Sequence, residues 1–324
     1  MGIAQTVRVL PHRTMRTLFI SLSHRRMLAR LAARSRLTKP VVARFVAGET
    51  LAAALPAVAE LKRAGLHTTV DVLGESVESP EQAAAAVESY LATVAALSAG
   101  GLDANVSLKL TQMGLETGRD TCRTNVMRVV EAVRGVDGFV RFDMEDHAAT
   151  DATLEIWRAA YDSYPNVGIV IQSALRRSEA DVDAITAVGG RVRLCKGAYD
   201  EPGSVAYLTK QAVDANYARL MERLLLADAR PALATHDPRL IARAIQIVER
   251  EGIARDRFEF QMLYGIRRDL QRMLVDRGYT VRIYVPYGTE WYPYFMRRLA
   301  ERPANVGFML KAIVNEESRR LRGR

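Results

Sequence analysis

In this chain of 324 residues, side chains able to do acid-base, ionic or redox-supporting chemistry recur at the ends of short apolar runs. They are Asp71, Lys109, Asp143 with Glu145, Gln172, Arg193 with Lys196, Thr235 with His236, Gln261 and Tyr284. A Lys and a carboxylate brought face to face would neutralise each other in part and present charge to a ligand, or would form a simple ion pair. Lys109 or Lys196 also has the chemistry of a Schiff-base nucleophile. Asp143, Glu145, Asp146, His147 and His236 supply oxygen and imidazole ligands on paper. Strand alternation places Asp143 and Glu145 on one face, but it leaves Asp146 and His147 in the following loop, and no second His completes a familiar set, so no metal is expected. The adjacent pair Arg297 and Arg298 suits a planar carboxylate, with a solvated pair bridged to Glu301 as the plain structural alternative. Cys122 and Cys195 lie in no disulfide or metal spacing, which fits a reducing compartment.

These groups need elements to position them. The β-like runs are 67–73, 105–110, 139–145, 167–173, 191–197, 231–236, 258–263 and 281–288, separated by helical patterns such as 80–98 and the stretch that Asp237-Pro238 opens through Arg250. Eight such units match the size of a (β/α)8 barrel, and the polar residues fall at the C-terminal ends of the strands, where a barrel of this class builds its site. No G-x-G-x-x-G follows the first run, which argues against a Rossmann-held dinucleotide. The expected organisation is an N-terminal helical arm over 1–64 and a barrel over 65–324.

The formal net charge of +9 is concentrated in one place. Residues 1–48 hold ten Lys or Arg and no Asp or Glu, leaving 36 basic against 37 acidic residues in the remainder. The body is nearly neutral, which disfavours nucleic acid as its partner. The arm suits anionic lipid or another acidic surface, equally a solvated helical extension, and its composition also resembles an organelle transit peptide. No run approaches the ~18 consecutive apolar residues of a membrane span.

Several segments carry a family resemblance: Gly168-Ile-Val-Ile-Gln172, Arg193-Leu-Cys-Lys-Gly-Ala-Tyr199, Ala234-Thr-His236, Glu259-Phe-Gln-Met-Leu263, Arg282-Ile-Tyr-Val-Pro-Tyr-Gly288 and Tyr294-Phe-Met-Arg-Arg-Leu299. In this order and spacing, from about Thr69 to Asn305, the chain resembles the proline dehydrogenases. The resemblance implies oxidation of L-proline to 1-pyrroline-5-carboxylate by hydride transfer to N5 of non-covalently bound FAD, with electrons passed to a membrane quinone. It assigns Arg297 and Arg298 to the substrate carboxylate, which requires the last helix to lie over the mouth of a distorted TIM-like barrel. Lys109 and Asp143 match substrate-side groups. Arg193 matches the position near flavin N5 and N1, and Met144, Gln172, Lys196, Gly197, Ala198, Thr235 and His236 match other cofactor positions. Leu263 and Tyr284 would bound the proline ring, the tyrosine leaving little room for a 4-hydroxyl group.

Two departures, Cys195 for an aliphatic residue and Asp237 where Asn is common, are compatible with a small apolar residue and a helix cap. A chain ending soon after the barrel implies that a separate pyrroline-5-carboxylate dehydrogenase takes the product. The expected location is cytoplasmic, peripheral on the inner face of the membrane, or mitochondrial in a eukaryote. A rival flavin barrel, such as a methylenetetrahydrofolate reductase, would have no need of Arg297 and Arg298; a nucleic-acid-binding module using the arm would leave the polar strand ends unexplained.

Overall fold

The computed structural model of the chain describes residues 42–227 and 229–301. Two compact units divide it: Val46–Thr289, and Met1–Phe45 together with Glu290–Arg324. The larger is a closed barrel of eight parallel strands in sequence order, sealed by pairing of the first with the last. The strands are β1 (His67–Val72), β2 (Asn105–Leu108), β3 (Phe139–Phe142), β4 (Val167–Gln172), β5 (Arg191–Cys195), β6 (Ala232–Ala234), β7 (Glu259–Leu263) and β8 (Val281–Tyr287). All eight expected strands are present. Lys109 and Asp143 lie just beyond the ends of β2 and β3, so the chemistry is carried by the first loop residues as well as by the strands.

Helices α1 (Leu51–Arg63), α2 (Pro80–Ala99), α3 (Arg119–Arg134), α4 (Thr150–Ser163), α5 (Ser178–Thr186), α6 (Lys210–Leu226), α7 (Pro238–Arg250) and α8 (Arg268–Asp276) belong to this unit. Local chemistry sets their starts. Ser79 accepts the N–H of Gln82 and is followed by Pro80 at the first helical position; Asp237 accepts the N–H of Arg239 and is followed by Pro238. The cap expected of Asp237 is therefore formed. Helix α1 packs on β1 and β8, so by packing the barrel unit opens at Val46, whereas sequence placed 51–63 in the arm. The final helix α9 (Trp291–Glu301) belongs to the second unit, where the rings of Phe45 and Phe295 lie 6.0 Å apart.

The apolar core lies outside the barrel wall. Val70, Val106, Leu108, Val140, Phe142, Ile169, Ile171, Val192, Leu194, Phe260, Ile283 and Val285 alternate along the strands and pack into one cluster with helix residues such as Val87, Val129, Ile156 and Leu220. The opposite face, which lines the barrel, holds Thr69, Asp71, Ser107, Arg141, Arg193, Gln261 and Tyr284. Barrels of this class are usually filled with branched apolar side chains. A polar filling must satisfy its own hydrogen bonds in place of simple close packing.

Candidate active site

Period-two alternation aims Asp71, Lys109, Asp143, Arg193 and Tyr284 from five strands or strand ends into one mouth of the barrel. Asp143 is the hub. Arg193 Nη1 donates to its Oδ1 at 2.8 Å, and the Tyr284 hydroxyl donates to its Oδ2 at 2.8 Å. Lys109 Nζ lies 3.9 Å from the same Oδ2, but its nearer carboxylate is Asp71, at 2.9 Å, and it also reaches the Tyr284 hydroxyl at 3.4 Å. Arg193 Nη2 donates to Ser107 Oγ at 3.0 Å, while its Cζ sits 5.4 Å from the centre of the Tyr284 ring. Two cations and two carboxylates thus form one buried, hydrogen-bonded network.

Electrostatics sets the protonation states. Burial pushes Lys109 down, yet Asp71 and Asp143 outweigh it and hold the ammonium above the ordinary lysine range. A Schiff-base nucleophile must be neutral to attack, so Lys109 is poised for charge rather than for covalent chemistry. Burial raises the Asp71 carboxyl above its usual value despite Lys109 beside it. Burial and then Asp143 push the Tyr284 hydroxyl well above the usual phenol range, keeping it a neutral donor.

A second group of residues borders this network. Gln172, at the end of β4, donates through Nε2 to the carbonyls of Met144 at 3.2 Å and Glu145 at 2.6 Å. Its Oε1 is buried with no partner, as is Arg193 Nε. Gly197 has φ +106°, and a Cβ there would come within 2.7 Å of Gln172 Oε1, so a side chain would crowd that acceptor. Lys196 is held by Asp214 at 2.6 Å and Asp237 at 3.4 Å, and Thr235 Oγ1 accepts the Asp237 N–H at 3.1 Å. His236 Nε2 accepts the N–H of Leu263 at 3.0 Å, which places the remaining proton of the neutral ring on Nδ1. Ala198 follows Gly197 in the loop between β5 and α6.

The carboxylate of Glu145 accepts the Thr111 N–H at 3.0 Å and lies 2.5 Å from Thr111 Oγ1; burial pushes its pKa up to about 7. His147 pairs instead with Glu201, at 2.5 Å. Among the described residues no group of three His, Cys, Asp or Glu is placed to hold a metal ion.

The proline dehydrogenase family profile matches residues 54–311, which takes in the whole barrel from β1 to β8. The chain belongs to the proline dehydrogenase family. It is 42% identical to proline dehydrogenase of Deinococcus radiodurans over 276 residues, covering 84% of this chain and 89% of that one. Proline dehydrogenase 2 of Bacillus subtilis is 38% identical, over 93% of this chain and 99% of the relative. Among solved structures, proline utilization A (PutA) from Bdellovibrio bacteriovorus, inactivated by N-propargylglycine, superposes with a TM-score of 0.77 at 26% identity. That match covers 88% of this chain but 36% of the other, so the chain corresponds to about a third of that larger protein.

Of the expected site residues, Asp143 and Tyr284 contact each other and each contacts Lys109 and Arg193, while Gln172 bonds the Met144 carbonyl and lies against Gly197. Arg297 and Arg298 stand on α9, which belongs to the second unit. Sequence reasoning expected Lys109 to face Asp143, but it did not single out Asp71 as the closer partner, nor Ser107, Thr111 and Asp214. Ser107 was detectable, since it lies two residues before Lys109 on the same strand face. Asp214 was not, because its pairing with Lys196 joins a helix to a strand end eighteen positions earlier in the chain.

Proposed function

We propose that this chain oxidises L-proline to 1-pyrroline-5-carboxylate with FAD at the C-terminal mouth of the barrel and a quinone as the final acceptor. The carrying observation is the Asp143 hub, which ties Arg193, Tyr284 and Lys109 into one network at that mouth. The orphaned Gln172 Oε1 and Arg193 Nε call for a donor and an acceptor, a pairing that the polar edge of a flavin ring supplies. Bound FAD would accept hydride from the ring carbon beside the proline nitrogen.

The protein's own task is to position and exclude. Arg297 and Arg298 grip the substrate carboxylate, for which guanidinium geometry is suited, and the carboxylates of Asp71 and Asp143 balance the cations that line the mouth. Arg193 places positive charge against the cofactor, favouring its reduced anionic form. Met144, Gln172, Gly197, Ala198, Thr235 and His236 bound the cofactor, and Lys196, drawn from Asp214 and Asp237, serves its phosphates. Leu263 and Tyr284 close on the ring. Tyr284 cannot easily swing aside, because Asp143, Lys109 and Arg193 all engage it. That fixed wall supports proline over 4-hydroxyproline as substrate.

A separate pyrroline-5-carboxylate dehydrogenase would take the product, and the basic arm would bring the enzyme to anionic lipid on the cytoplasmic face, where quinone is available. Neither nucleic acid nor metal has a part in this reading. An absorbance spectrum recorded before and after anaerobic addition of proline tests it. A yellow protein bleached by proline is expected; a preparation that cannot take up FAD, or a flavin that proline leaves oxidised, refutes it.

A further inference from the structure

The opposite end of the barrel, at the N-termini of the strands, holds a cavity of about 400 Å³. Four arginines line it; Arg282 is paired with Glu259, and the other three sit at three depths, Arg141 buried at 4% exposure, Arg191 half-buried and Arg230 exposed. Among the described residues none of the three has a carboxylate within 4.0 Å. The carboxylates deepest in the same wall are already committed, Glu259 to Arg282 at 3.0 Å and Asp103 to His67 at 2.8 Å. Asp137 and Asp256 also line the cavity, but they are exposed, where water screens their charge.

A buried guanidinium with no carboxylate in ion-pair contact is costly, and the counter-charge that Arg141 feels, Glu259, is bonded to Arg282 instead. Arg141 recovers only part of that cost. Its Nη1 donates to the Arg191 carbonyl at 2.9 Å, its Cζ lies 4.7 Å over the Phe139 ring, and its Nε has no acceptor. Arg191 Cζ lies 5.5 Å over the same ring, so one aromatic ring serves two like charges. Gly168 keeps the arrangement possible, because a Cβ there would meet Arg141 Nη1 at 2.3 Å. Desolvation, and then the neighbouring guanidiniums, push both Arg141 and Arg191 below the ordinary arginine range, against the opposing charge of Glu259. A barrel that needed only filling would be served by apolar residues at these positions.

We propose that this cavity at the N-terminal end of the barrel is a binding site for a small divalent oxyanion, a phosphate or a dicarboxylate, held by Arg141, Arg191 and Arg230. The site is distinct from the catalytic mouth and does not depend on the reaction assigned there. An anion of this class would complete the guanidinium set from the solvent side, and the volume lies within the range of small-molecule pockets.

Isothermal titration of the FAD-loaded protein with inorganic phosphate and, separately, with malonate tests the site at ionic strength held constant with sodium chloride. Saturable binding of one equivalent of at least one probe is expected, and the two arms distinguish phosphate from dicarboxylate. Arg191→Ala combined with Arg230→Ala should weaken that binding at least tenfold, and Arg230→Glu alone, an exposed charge reversal that disturbs no packing, should weaken it in the same direction. Arg123→Ala, an exposed change on α3, should leave it unaltered. Circular dichroism and the thermal transition report whether the double variant is folded. No saturable binding by the parent protein, or binding unchanged in Arg230→Glu, would overturn the proposal.

Discussion

At the scale of single residues, Glu145 and Tyr284 are each defined by what holds them. Glu145 is acidic by composition, yet burial raises its pKa from 4.5 to about 7, so folding favours its protonated form. The stability contributed by that proton is complete below pH 4.5 and is lost as pH rises toward 7, for a total on the order of 3 kcal/mol. Glu145→Gln stays neutral and can still hydrogen-bond Thr111. It should remove this decline, making the variant the more stable protein at pH 8 but not at pH 4.5. Urea midpoints at the two pH values measure the effect, and equal differences from the parent at both would refute it.

Tyr284 carries the proposed specificity. Tyr284→Ser opens the wall beside the ring and should raise kcat/KM for 4-hydroxyproline relative to proline by about tenfold, in the range that one steric contact usually supplies. It should also free Asp143 Oδ2 and lower proline turnover. An unchanged substrate ratio in steady-state assays would show that the ring is bounded elsewhere.

At the scale of elements, the barrel keeps apolar residues against the helices but fills its interior largely with polar and charged ones. Gly168 on β4 shows the consequence. Its missing side chain is the space that Arg141 occupies, and an added Cβ would also lie 2.8 Å from the Arg191 carbonyl. Gly168→Ala should therefore destabilise the fold by about 1–3 kcal/mol, as overpacking does, although Ala favours a strand no less than Gly. A denaturant midpoint equal to that of the parent protein would mean the guanidinium moves aside freely.

For the whole molecule, the charge asymmetry is the property with a consequence for partners. Nine of the ten basic residues of 1–48 precede residue 42, where the described chain begins. Ala47 N–H is bonded to the Pro286 carbonyl, so trimming should stop short of it. Deleting 1–41 should abolish sedimentation with anionic liposomes at low salt while leaving proline-dependent bleaching of the flavin in place. Undiminished sedimentation would assign lipid contact to another surface. Among the described residues no helix is long and apolar enough to cross a membrane.

What the sequence determined by itself follows from local physics. Alternation of β-rich and amphipathic runs marked all eight strands, proline and capping residues marked helix starts at Pro80 and Pro238, and strand-end position drew attention to Asp71, Lys109, Asp143, Arg193 and Tyr284. Ordered motifs along the chain indicated the family. Tertiary structure alone decided who pairs with whom. Lys109 lies nearer Asp71 than Asp143, Lys196 is shared by Asp214 and Asp237, and four arginines gather around a cavity at the other end. Such pairings depend on strand register, barrel closure and helix placement, which bring together residues dozens of positions apart and leave no periodic trace in the chain.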